Sequence, residues 1–357
     1  MRNNKFTKII NIFLVGTMFF SLALSGCNGK EETVMPEEDK NIVVGFSQLG
    51  AESDWRSANT ESMKKAFSEK NGYTLIFEDG QQKQSNQITA IRSFIQQEVD
   101  YIVLAPVTET GWDTVLEEAK EAGIPVIIVD RQVDVSDPSL FTCFVGSDFE
   151  LEGRKMTEWL HEFTKVNNIE GSDIHIVNIQ GTSGSSSQIG RTKGLEEAAK
   201  EYGWNLLAEE SGEYTQAKGR EVMVDFLRKY PSLNVVYCEN DNEAFGAIEA
   251  IEAAGKKVGT DIKKGEIMVL SFDGVDEKAL EMCANGQISC IGECNPLHGP
   301  RVMSIIETLE KGETPNKYSY VYECIFSSYG KIKEVTTENE KFAVTTMNEE
   351  VIKQRTE

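Results

Sequence analysis

From residue 41 onward, short apolar runs alternate with longer stretches whose apolar positions recur every three or four residues. Ile42-Val43-Val44-Gly45-Phe46 is the first run, and a stretch with Met63, Ala66 and Phe67 on one face comes next, with Gly72 just past its end. Then come Tyr73 to Phe77, a stretch with Ile88, Ile91, Phe94 and Ile95 at helical spacing, Tyr101 to Leu104, and a third helix carrying Val115, Leu116 and Ala119. Gly123-Ile124-Pro125 ends that helix and leads into Val126-Ile127-Ile128-Val129, after which Phe141 to Val145 is one more run. Apolar strands without alternation, separated by amphipathic helices, predict βαβ units and a parallel sheet covered on both faces.

The same order then repeats. The runs are Ile174 to Ile179, Leu206-Leu207, Val235-Val236-Tyr237, Ile267 to Leu270 and Ile288 to Ile291. Between them lie helices with Leu195, Ala198 and Ala199, then Val222, Phe226 and Leu227, then Ala247, Ile248 and Ile251. The prediction is an α/β chain with two doubly wound parallel-sheet lobes. The remainder holds one helix (Val302, Ile305, Ile306, Leu309) and a strand pair around Tyr318 to Ser328, too little for a third domain. It is expected to return and complete the lobes. That gives an N-terminal lobe of 41–146 plus 294–325, a C-terminal lobe of 147–293 plus 326–345, a tail at 346–357, and a hinge of several crossings.

The first 40 residues break this pattern. Arg2, Lys5 and Lys8 precede an apolar run from Ile9 to Leu24, too short and too quickly ended for a stable span, which reads as a secretory signal. It closes on Leu24-Ser25-Gly26-Cys27, which resembles the bacterial lipobox. Cleavage is expected before Cys27, making residues 1–26 a signal peptide, Cys27 the lipidated residue and the polar segment 27–40 a tether. The mature chain is then extracytoplasmic and held to the cell membrane through its acyl chains, each buried CH₂ contributing about 0.8 kcal/mol.

Charge narrows the partners. The chain carries −22, and without the three leader bases it has 33 bases against 58 acids, or −25. Nucleic-acid binding rests on Lys and Arg neutralising phosphates, so this balance argues against it. No P-loop or nucleophile–base arrangement stands out, and the Gly181–Ser187 stretch lacks the Gly-Lys-Ser/Thr of a phosphate cradle, so it reads as a cleft loop that leads into a helix. Besides Cys27, the chain has Cys143, Cys238, Cys283, Cys290, Cys294 and Cys324, none in a C-x-x-C pair. Most lie in apolar runs, where a thiol behaves as a small hydrophobe. An even count in an exported chain permits disulfides without fixing their pairing. Neither a metal nor a cofactor is expected.

In open parallel sheets, ligands bind beyond the carboxyl ends of the strands. The residues just past each run are therefore the candidates for a site. The first lobe supplies Gln48, Glu52, Trp55 and Arg56, then Ala105, then Asp130 and Arg131, then Asp148. The second supplies Arg191, Tyr214, Asn240, Asp273 and Glu293. Trp112 is read as packing. Paired carboxylates, arginines and amides suit sugar hydroxyls, each a donor and an acceptor, and flat aromatics cover the C–H face of the ring. A glycosidase would need two carboxylates flanking a bond. Asp130 and Asp273 each have an arginine near in the pattern and are read as ionised ligands instead.

Val44-Gly45-Phe46-Ser47-Gln48 with Ser53-Asp54-Trp55-Arg56, Asp79-Gly80-Gln81-Gln82, Ala105-Pro106-Val107, Asp130-Arg131, Gln180-Gly181-Thr182, Arg191, Ser211-Gly212-Glu213-Tyr214-Thr215, Asn240-Asp241 and Asp273-Gly274-Val275 stand in a telling order and spacing. Over roughly 41–300 the chain resembles the periplasmic sugar-binding proteins of the ribose/galactose type, and among them the galactofuranose-binding branch of ABC importers. The resemblance implies the type I periplasmic binding protein fold and a monomer that is not an enzyme. It implies capture of a monosaccharide, a furanose such as galactofuranose, by hinge closure, and delivery to an ABC importer permease. Carried over by position, Asp130 and Arg131 would grip ring hydroxyls, with Trp55 and Arg56 on the same side near Ala105. Arg191, Asn240 and Asp273 would contact the sugar from the other lobe, Tyr214 would stack on it, and Glu293 would be a polar contact at a hinge crossing. The alternatives are a sugar-sensing module read by a membrane histidine kinase or chemoreceptor, and a binder of a furanose-like signalling molecule. The missing DNA-binding head and the leader exclude a repressor.

Overall fold

A computed structural model describes residues 41–356. The expected signal peptide and tether, with Cys27, lie outside the described residues. In chain order the first sheet receives β1 (Ile42–Gln48), β2 (Tyr73–Asp79), β3 (Tyr101–Leu104), β4 (Val126–Val129) and β5 (Cys143–Gly146), interleaved with α1 (Asp54–Ala66), α2 (Gln84–Gln96) and α3 (Asp113–Glu121). The chain crosses to the second lobe and runs through α4 (Phe149–Asn167), β6 (His175–Gln180), α5 (Ser186–Tyr202), β7 (Asn205–Ser211), α6 (Gln216–Lys229), β8 (Val235–Cys238), α7 (Asp241–Ala253), β9 (Met268–Asp273), α8 (Glu277–Ala284) and β10 (Cys290–Glu293). It returns for α9 (Gly299–Glu310), which packs on α1, and for β11 (Tyr318–Tyr320), which pairs with β5. A third crossing leads to β12 (Ile325–Ser327), β13 (Glu334–Thr337), β14 (Glu340–Thr346) and α10 (Glu349–Thr356).

The two sheets share one plan. The first runs β11-β5-β4-β3-β1-β2 and the second β13-β14-β12-β10-β9-β8-β6-β7. In each, the lobe's second strand lies outside its first and the third lies on the other side, so the order reverses beside the first strand. That reversal opens the crevice where such sheets bind ligands. Neighbours are parallel throughout both βα repeats, and antiparallel pairing enters only where β12 meets β10 and β13 meets β14. The buried strands present apolar side chains to helices on both faces, giving each lobe two cores. A fifth, small cluster of Trp55, Phe149 and Cys294 sits at the site itself.

Two expectations change. The predicted strand pair around Tyr318 to Ser328 is two strands in two different sheets, because the chain crosses between lobes at Val321–Cys324. The stretch 346–357 is not a bare tail: α10 packs on α8, and Arg355 reaches Glu293 at 2.7 Å. The six described cysteines are free thiols, five of them buried, which matches their reading as small hydrophobes. Among the described residues no helix is long and apolar enough to cross a membrane.

Candidate functional site

The site is built from the same parts in each lobe. Ser53 caps α1 by accepting from the Arg56 amide, which turns the first helix of lobe one so that Arg56 faces inward. Ser185 caps α5, the corresponding helix of lobe two, which carries Arg191. Each of these arginines meets an aspartate at the end of its lobe's fourth strand. Arg56 Nη1 lies 2.7 Å from Asp130 Oδ2, and Arg191 Nη2 lies 3.4 Å from Asp273 Oδ1. Each also meets a glutamate: Glu52 at 3.2 Å from Arg56, Glu152 at 2.8 Å from Arg191. Both aspartates take left-handed backbone angles, φ 67° at Asp130 and φ 96° at Asp273. Such angles are unfavourable for non-glycine residues, persist where the surroundings over-determine them, and cluster at functional sites.

These groups are almost wholly buried. Burial opposes the Arg56 cation, but Asp130 and Glu52 beside it outweigh that and raise its pKa. Arg191 is likewise raised, the carboxylates of Glu152 and Asp273 overcoming its desolvation. Arg131 is lowered, by burial first and then by Arg56. It is held by the Val107 carbonyl at 3.1 Å and stacks over the Tyr214 ring at 5.2 Å. The Arg56–Asp130 contact is close but poorly directed for a hydrogen bond, leaving Arg56 Nη1, Asp130 Oδ2 and Glu52 Oε2 as buried polar atoms without one. Such atoms cost free energy until a partner arrives.

Nine of the thirteen expected residues line one cavity: Glu52, Trp55, Arg56, Asp130, Arg131, Arg191, Tyr214, Asn240 and Asp273. Trp55 is fixed by its indole N–H donating to the Cys294 carbonyl at 2.8 Å. Tyr214 donates its hydroxyl to Ser187 at 2.7 Å, and Asn240 both caps α7 and donates to the Tyr214 carbonyl at 3.1 Å. The other four stand outside the lining, each occupied elsewhere. Gln48 is buried, donating to Asn59 and Thr60. Ala105 offers its carbonyl to Gln87. Asp148 caps α4 by accepting from Leu151. Glu293 accepts from the Cys324 amide and pairs with Arg355. The cavity also takes Ser53, Phe149, Ser187 and Cys294. Phe149 and Cys294 each lie one residue beyond an expected position, at the first and second crossings. Ser53 is the cap of α1, and Ser187 stands in the first turn of α5, at the end of the stretch expected as a loop.

A periplasmic binding protein domain matches residues 44–297, and the chain belongs to that extracytoplasmic family. It is a binding protein, as its relatives are, and not an enzyme. More narrowly, it is 40% identical over 290 residues to the galactofuranose-binding protein YtfQ of Escherichia coli (strain K12), covering 80% of this chain and 87% of that protein. A structure from Mycobacterium smegmatis in complex with β-D-fucofuranose superposes with a TM-score of 0.75 at 40% identity, covering 80% of this chain and 91% of that one. The periplasmic binding protein of the arabinose ABC transporter from Shewanella sp. ANA-3, bound to α- and β-L-arabinofuranose, superposes with a TM-score of 0.73 at 40% identity, with the same coverage.

Proposed function

We propose that this chain captures a monosaccharide in its furanose form between its lobes and delivers it to an ABC importer. The observation that carries the reading is the mirrored pair of Arg–Asp contacts, Arg56–Asp130 from one lobe and Arg191–Asp273 from the other, facing one cavity. Hydroxyls on opposite edges of a small ring suit such a pair, because each hydroxyl donates to a carboxylate and accepts from a guanidinium. Trp55, Phe149 and Tyr214 supply apolar surface for the C–H groups. Three relatives of 40% identity carry galactofuranose, fucofuranose or arabinofuranose in their names, which favours a five-membered ring. The free space in the cavity is about 20 Å³, room for one water, so a sugar ring enters only when the lobes part.

The leader and Cys27 support export and lipid anchoring, which keeps a monomeric carrier beside the membrane that holds its importer. A thermal-shift screen against aldoses tests the reading. A ligand at 100 times its Kd adds about 2.7 kcal/mol of stability. Galactose, fucose or arabinose raising the melting point supports it. A shift with an unrelated solute and none with any sugar removes it.

A further inference from the structure

Behind Arg191, the three crossings between the lobes converge on one buried carboxyl. Glu323, on the third crossing, accepts at Oε1 from the Ser147 hydroxyl of the first crossing and from the Asn295 amide of the second, each at 2.7 Å. One carboxyl oxygen of Glu323, one of Glu152 and the Cys294 sulfur all lie within 4.8 Å of one another, and all three residues are buried. Glu152 gives Oε2 to Arg191 at 2.8 Å, while its Oε1 is buried with no hydrogen-bond donor among the described residues. The other charged or titratable groups facing this cluster are Lys155 of α4, whose ammonium donates to the Glu323 carbonyl at 3.0 Å, Arg301 of α9, Tyr237 of β8, and Asp273 behind Arg191.

We propose that Glu152 and Glu323 share one proton: Glu323 is a carboxylic acid whose Oε2–H donates to Glu152 Oε1, and the pair braces Arg191 against all three crossings. Two ionised carboxyls side by side out of water repel strongly, and one proton relieves both the repulsion and the orphaned oxygen. Burial, then the charge of Glu152, push Glu323 well above the usual carboxyl range. A divalent cation is the poorer occupant, since Arg191 and Lys155 already supply positive charge and Glu323 Oε1 already has two donors. Glu323 is thus a positioning residue: it holds Glu152, which aims the guanidinium that lines the cavity, and it ties that aim to the strands that bend on closure.

The test uses the ligand-free mature chain, so its outcome is independent of which solute binds. Melting points are measured from about pH 5 to about pH 9 for the wild type, Glu323→Gln and Glu323→Ala. Glutamine keeps an acceptor for Ser147 and Asn295 and offers an amide donor to Glu152, with no proton to lose. A carboxyl raised in the folded state gives stability that is full below its unfolded pKa and lost as pH rises, here by up to about ten-fold in the folding equilibrium per pH unit. Glu323→Gln should therefore gain on the wild type as pH rises, whereas Glu323→Ala should melt lower at every pH near neutrality. Infrared spectra of the wild type should show a protonated-carboxyl band that Glu323→Gln lacks. A glutamine variant that runs parallel to the wild type, or falls further behind as pH rises, overturns the proposal, and so does a wild type without the band. Stoichiometric zinc binding that Cys294→Ser abolishes also overturns it.

Discussion

Arg191 is held from several sides at once. It holds Glu152 and Asp273, donates to the Glu239 carbonyl, and lies over the rings of Phe149 and Phe272. Arg191→Ala should weaken sugar binding by about 1.5–3 kcal/mol in calorimetry, the range for a bond to a charged group. Unchanged affinity would remove Arg191 from the site. His298 gives a second prediction. Its Nε2 donates to the Asn295 carbonyl at 2.9 Å, its ring meets Trp55 edge-on, and burial lowers its pKa from 6.5 to about 4. A base depressed in the folded state gives stability that is full above its unfolded pKa and lost as pH falls, here between about 6.5 and about 4 and by up to about 3 kcal/mol. The melting-point difference between His298→Gln and wild type should therefore move in the variant's favour across that window, and a flat difference would show His298 to be charged in the fold. At this scale the sequence shows which residue types end each strand, and so brings nine cavity residues into view. It does not show where a side chain is already satisfied. Gln48 and Glu293 stand at strand ends as good ligands do, yet their partners Asn59 and Arg355 come from a helix face and a C-terminal helix that periodicity leaves unplaced.

At the scale of elements, the placing of Arg191 depends on how closely α5 approaches α4. A Cβ built at Gly194 would stand 2.7 Å from the backbone carbon of Gly153, and one at Gly153 would stand 2.9 Å from the Arg191 carbonyl oxygen. Both obstacles are backbone, so the helices must separate to admit a methyl. Gly194→Ala should cost about 1–3 kcal/mol in denaturant unfolding, as overpacking does, and should also weaken sugar binding by displacing Arg191. Stability and affinity both at the wild-type level would contradict the close crossing. Strands and helices of the two repeats arise from apolar runs and a 3.6-residue period, which act locally. The Tyr318–Ser328 region does not, because two short strands near in sequence look like a hairpin. Only the crossing at Val321–Cys324 sends them to separate sheets, and no local pattern marks it.

The whole molecule is two copies of one sheet plan, each supplying an arginine from the helix after its first strand and an aspartate from the end of its fourth strand. The repetition of the plan is visible in the sequence. The matching of the two Arg–Asp pairs is not, since it depends on which lobe positions correspond across low similarity. Outside the described residues, Cys27→Ser should move the protein from the membrane fraction to the soluble one. A variant that stays with the membrane would locate the anchor elsewhere. Enclosure of a furanose between the mirrored pairs is tested by a crystal structure of the mature chain grown with galactose, fucose and arabinose, each in separate drops. A five-membered ring with hydroxyls on Asp130 and Asp273 and on Arg56, Arg131 or Arg191 is the predicted result. A pyranose in the cavity, or a sugar bound elsewhere while the cavity holds a different solute, would contradict it.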